Sequence, residues 1–74
     1  MTKKEHAQLI EELENRLGHL PEKQDDYTAE ADKYSKQGDH EKAGAIYNHV
    51  AEVVPGNQIA QNGRLDAIAA DSKK

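Results

Sequence analysis

Four histidines, His6, His19, His40 and His49, are the residues most able to do chemistry in this sequence. A helix presents two metal ligands side by side when they stand three or four residues apart. No two of these histidines have that spacing. A metal site would have to be assembled across helices, and solvated imidazoles are the plainer reading. His49 with Glu52, and His40 with Asp39 or Glu41, read as surface neighbours. The carboxylates gather in two stretches: Glu11, Glu12 and Glu14, then Asp25, Asp26, Glu30 and Asp32. General acid–base pairs need an enclosing pocket to shift their pKa values, and a chain this short offers little pocket. These stretches read as solvated faces, or else as an acidic docking surface for a basic partner. Ser35 and Ser72 stand in no nucleophile-elbow pattern, and the single glycines form no phosphate-binding loop. The sequence therefore predicts no enzyme, no cofactor and no metal.

The elements that must position these groups are helices. Seventy-four residues make one domain at most. With no cysteine there is no disulfide to brace so small a core, which leaves oligomerisation or very regular helix packing. The large apolar side chains are one Met, four Ile, five Leu, three Val and three Tyr, against 32% charged residues. Abundant Ala, Glu, Lys and Gln favour helix over strand. The net charge is −4, and basic residues never cluster beyond Lys3–Lys4 and Lys73–Lys74. A phosphate-neutralising face is missing, so nucleic acid is not the expected partner. No run approaches the ~18 apolar residues of a membrane span, and no apolar stretch follows Lys3–Lys4 as in a signal peptide. The expectation is a cytoplasmic protein with no membrane partner. Met1 and a weakly apolar last helix suggest a complete small protein.

The apolar periodicity predicts four helices. Leu9, Ile10, Leu13, Leu17 and Leu20 recur at helical spacing over residues 3–20. Thr2 with Glu5 reads as a capping box, and Pro21 closes the segment. A second helix, 25–37, starts at Asp25 or Asp26 as cap, carries Tyr27, Ala31 and Tyr34 on one face, and stops at Gly38. Asp39 caps the third, 40–54, with Ala43, Ile46, Tyr47, Val50, Val53 and Val54 as its stripe. Pro55–Gly56–Asn57 ends it. The fourth, 58–70, is capped by Asn57 and has Ile59, Leu65 and Ile68 as its only large apolar residues. Gly63 there costs roughly 1 kcal/mol relative to Ala.

Pro21 and Pro55 stand 34 residues apart, the tetratricopeptide period. Between them, Tyr27, Ala31 and Tyr34 alternate aromatic and small residues along one helix. Lys36-Gln37-Gly38-Asp39 makes a turn, Ala43 and Tyr47 repeat the pattern, and Pro55-Gly56-Asn57 ends it. The stretch Gln24–Asn57 resembles one tetratricopeptide repeat. Glu30 stands where that family usually has Leu, and Val50 where it usually has Ala. Small residues such as Ala31 and Ala43 let helices approach, and aromatics fill the gaps beside them. A generic helical hairpin is the alternative. The expected fold is all-α, an antiparallel bundle of about four helices with this helix–turn–helix at its centre. The first segment would then replace a preceding repeat's second helix, although Arg16 falls where a small residue is usual. The last would act as a following first helix, with Leu65 and Ile68 packed on the hairpin.

The resemblance implies a protein-binding module whose groove-facing residues are Asp25, Thr28, Asp32, Ser35 and Lys36. Thr28 and Asp32 replace the Lys and Asn with which such repeats clamp a peptide carboxylate, so no clamp of that kind is expected. Another protein is the expected partner. Two other readings stay open. One is a self-associating structural protein, a homo-oligomer joined through a seam of Ile10, Leu13, Leu17 and Leu20. The other is a small acidic inhibitor of a basic site on an enzyme or nucleic-acid machine.

Overall fold

The computed structural model describes residues 2–72, without the side chains of residues 71 and 72; Met1 and Lys73–Lys74 lie outside it. It is an all-α bundle of four helices: α1 (Lys3–Leu17), α2 (Gln24–Lys36), α3 (His40–Val53) and α4 (Gln58–Ser72). No strand occurs among the described residues.

The helix ends follow from local chemistry. The Thr2 hydroxyl accepts the Glu5 amide at 3.2 Å and caps α1. Asp39 does the same for Lys42 at 3.2 Å, and Asn57 for Ala60 at 3.1 Å. Gly38, at φ 86°, ends the hairpin's first helix. The Asp39 amide there donates to the Tyr34 carbonyl at 2.9 Å and the Gly38 amide to Ser35 at 3.0 Å, the paired closure that a left-handed glycine permits.

Five boundaries differ from expectation, and two of them only in that α2 and α3 each end one residue early, at Lys36 and Val53. α1 stops at Leu17, not Leu20, because Gly18 takes φ 109° and turns the chain out of the helix three residues before Pro21. α2 begins at Gln24 with Lys23 at its cap position and no capping side chain. Asp25 and Asp26 lie in its first turn, where their charge still meets the positive end of the helix dipole. α4 runs to Ser72, two residues past the expected end.

α3 is the hub. Its backbone comes closest to α4 and next to α2, while α1 stands farther off against both α2 and α3. One apolar core joins Leu9, Ile10 and Leu13 of α1, Tyr27 and Ala31 of α2, Ala43, Ile46, Tyr47, Val50 and Ala51 of α3, and Ala60 of α4. Ala31 and Ala43 are both completely buried, so α2 and α3 fold back on each other through small residues. The α1 stripe is taken up by this core: Ile10 and Leu13 are buried, and Leu17 and Leu20 pack against it. The seam proposed for self-association is therefore internal.

The largest departure is the rotation of α4. Leu65 and Ile68 stay more than half exposed and are not buried on the hairpin. The side that faces α3 consists of Ala60, Gly63 and Ala67. A Cβ on Gly63 would sit 2.6 Å from three ring carbons of Tyr47, and one on Gly44 3.0 Å from the Ala67 Cβ. The crossing needs hydrogen at Gly63 and is tight at Gly44, so the propensity cost of Gly63 is offset by the burial of the Tyr47 ring.

Candidate functional site

Of the five residues expected to line a groove, the structure leaves three with side chains in solvent. Asp25, Asp32 and Lys36 are exposed, Ser35 is half-buried, and Thr28 is buried. The Thr28 hydroxyl donates to the Asp25 carbonyl at 3.1 Å, a bond within its own helix that commits the donor. Asp32 and Lys36 pair at 3.1 Å across one turn. Such exposed pairs contribute little stability, but they largely cancel each other's charge. This flank of α2 therefore presents Asp25 and a neutralised pair.

Asp32 has a second neighbour. It and Asp66 of α4 both stand near the Tyr47 phenol, whose pKa is raised first by burial and then by these two carboxylates. The phenol stays protonated, and its ring is held against Gly63.

The two residues that depart most from the repeat pattern on the α1–α2 side answer each other. Arg16 Nη2 bonds Glu30 Oε1 at 3.0 Å, and that bond, then the charge itself, raises the Arg16 pKa. Above this pair, the Tyr27 hydroxyl donates to the Gly18 carbonyl at 2.7 Å, so the end of α1 is capped by a side chain of α2. Burial raises the Tyr27 pKa, with Glu14 adding to it. At the other end, Asn57 Nδ2 donates to Gln24 Oε1 at 2.9 Å and ties the start of α2 to the start of α4.

The histidines do not converge on a metal. Among the described residues no group of three His, Cys, Asp or Glu side chains is arranged to hold one. His6 and His49 do line one cleft between α1 and α3, with Lys3, Ala7, Ile10 and Glu52. The His49 ring also tilts toward Tyr27, centroids 6.3 Å apart. Its pKa is lowered, chiefly by burial and further by His6, against opposing pulls from Glu14 and Glu52. His19 instead bonds Glu14 at 3.0 Å.

The surface that sequence reasoning missed lies on α4. Ile59, Leu65 and Ile68 are 61%, 57% and 59% exposed, and Val53 at the end of α3 is 46% exposed. Ile68 also forms the lip of a groove of about 230 Å³ between α3 and α4, floored by Gly44 and Ala67. Arg64 borders it, with Nη1 on Asn48 Oδ1 at 3.4 Å and a buried Nε that has no hydrogen-bond partner. The signal was present in the sequence as small residues: Ala60, Gly63 and Ala67 recur at steps of three and four, the spacing of a helix face.

Among the described residues no helix is long and apolar enough to cross a membrane. Comparison of the chain with protein-family models, with curated proteins and with solved structures gave no match.

Proposed function

We propose that this chain is a protein-binding module without catalysis of its own. One observation carries the reading: α4 turns all its large apolar side chains, Ile59, Leu65 and Ile68, toward solvent. Leu65 and Ile68, three residues apart on one side of the helix, form the kind of adjoining exposed apolar surface that marks interaction sites on soluble proteins. The hairpin supports the same reading, because its residues resemble a repeat used for holding other proteins. The five α2 residues become a secondary flank in this account, and α4 the main surface.

The test is a photo-crosslinking amino acid placed at position 65 or 68 of the full chain in its source cells. A discrete adduct is expected at both positions. It should be lost when the other position carries Glu and kept when Asp25 and Lys36 are changed to Ala. Adducts that respond to the α2 changes and ignore those on α4 would move the site to α2. No adduct at either position would remove the proposal.

A further inference from the structure

The outward side of α4 is unusual in its charge. In a chain with 32% charged residues, the segment Gln58–Ala70 carries only Arg64 and Asp66. Both sit at the borders of the exposed side. Arg64 is bonded to Asn48, and Asp66 lies toward Tyr47. Between them the surface is Gln58, Gln61, Asn62, Leu65, Ile68 and Ala69, amides and alkyl groups without a formal charge.

Along that surface, Gln58, Gln61, Leu65 and Ile68 follow at steps of three, four and three. Such alternation keeps side chains on one seam against a second helix. Ile59 is off the seam: at 100° per residue it lies roughly 120° around the helix from Leu65 and roughly 180° from Ile68.

Resting on the reading of α4 as the binding surface, we infer that its occupant is a second copy of this chain, joined α4 to α4 about a two-fold axis. The argument is electrostatic and geometric. Each copy carries a net charge of −4. Two such copies repel through their charged faces, and α1 and α2 are charged along their exposed sides. The α4 seam is a face on which they meet without placing like charges together. A basic partner gains nothing from it, since it offers no carboxylate to pair with. A two-fold interface needs a patch that complements itself. Leu65 and Ile68, one step apart, do so: Leu65 of one copy meets Ile68 of the other, and the reverse, with the amides of Gln58 and Gln61 continuing the seam and that of Asn62 at its margin. Core charge depletion with a polar rim is the usual anatomy of such contacts. Pairing also supplies what α4 lacks within one chain. Its described inward side is built of Ala60, Gly63 and Ala67, so Leu65 and Ile68 become covered only in the dimer. One helix face is less than the ~800 Å² per partner of a standard interface, so the dimer is weak and concentration-dependent.

Sedimentation velocity of the full chain from about 10 μM to about 1 mM tests this, a range that brackets weak association. A reversible monomer–dimer equilibrium is expected. Added salt should leave it unchanged or tighten it, because screening relieves the repulsion between two acidic chains. Leu65→Glu and Ile68→Glu should each weaken it by tenfold or more, with helix content by circular dichroism unchanged, since neither side chain belongs to the core. Ile59→Glu, equally exposed but off the seam, should leave the equilibrium as it is. A strict monomer at the highest concentration overturns the second copy as occupant. So does association that salt dissolves, that survives Leu65→Glu, that Ile59→Glu abolishes equally, or that grows beyond a dimer. Failure here is distinct from failure of the binding module: a monomer that still forms a crosslinked adduct with a different protein at position 65 keeps the module and loses only the self-pairing.

Discussion

α1 and α4 carry similar numbers of large apolar residues per turn for opposite purposes. α1 stands off from its neighbours and fills the gap with Leu9, Ile10 and Leu13. α4 lies close against α3 through the small residues Ala60, Gly63 and Ala67, and its Ile and Leu residues are displaced to the outside. Interhelical distance and side-chain size are coupled: a helix anchored by large residues has used them, whereas one anchored by its backbone keeps them for another surface. In this chain the difference separates the helix that completes the core from the helix that offers a contact.

The sharpest way to break this comparison is to shorten an α1 anchor. Leu13 has no exposed surface, so Leu13→Ala removes buried methyl groups and leaves a cavity. The expected loss is about 2–5 kcal/mol of unfolding free energy, read by chemical denaturation at a concentration where the chain is monomeric. A loss under about 0.5 kcal/mol, the range of ordinary surface changes, would show that α1 does not carry the core.

The second test fills the space that α4 leaves empty. Gly63→Val places a branched side chain where the Tyr47 ring already lies 2.6 Å from an ideal Cβ. Tyr47 is itself packed in the core, so it has little freedom to withdraw. Overpacking of this kind costs about 1–3 kcal/mol. Gly63→Ala gains up to about 1 kcal/mol of helix propensity and meets the same ring, so stabilisation by Ala would mean that Tyr47 and Gly63 are not in contact.

These two sites also show what the sequence made legible. The caps at Thr2, Asp39 and Asn57 and the stop at Gly38 are local devices, recognisable within four residues, and each stands at the helix end where it was expected, Thr2 through its hydroxyl on the Glu5 amide. The buried stripe of α1 and most of α3 were equally plain, because large apolar residues at helical spacing have few uses other than the core. Val53, at the end of the α3 stripe, is half exposed. The orientation of α4 was not plain. Its inward side is marked by small residues, which resemble good helix formers with no particular task, and Gly63 looks like a defect until the Tyr47 ring is seen across from it. On the α2 flank, the burial of Thr28 was not legible for a different reason: Thr28 is polar by type, and only the three-dimensional packing reveals that it is buried with its hydroxyl turned to its own backbone.

A smaller effect follows from the cleft between α1 and α3. His49 is half-buried there, facing His6, Glu14, Glu52 and Lys3. Its folded pKa lies below the ordinary 6.5, mainly through burial. The native state therefore prefers the neutral ring. Its contribution to stability is complete above pH 6.5 and is lost as pH falls through the folded value, because the unfolded chain takes up the proton first. The thermal midpoint should drop between pH 7.5 and pH 5. The drop should be smaller in His49→Gln, whose side chain cannot charge. Equal drops in both proteins would place the acid sensitivity on other groups.

The smallest expected effect is the most discriminating. Leu65→Ala removes the same atoms from α4 that Leu13→Ala removes from α1. Leu65 is 57% exposed, whereas Leu13 is fully buried. Ala has the higher helix propensity of the two, and no core cavity forms. Unfolding of the dilute monomer should change by no more than about 0.5 kcal/mol in either direction, while the contact made by α4 weakens. Two identical substitutions would then differ several-fold in stability cost, and their order would be reversed for binding. Should Leu65→Ala cost as much as Leu13→Ala, α4 is packed by its large residues after all. The uncharged seam would then face inward, and the interaction surface argued from it would not exist.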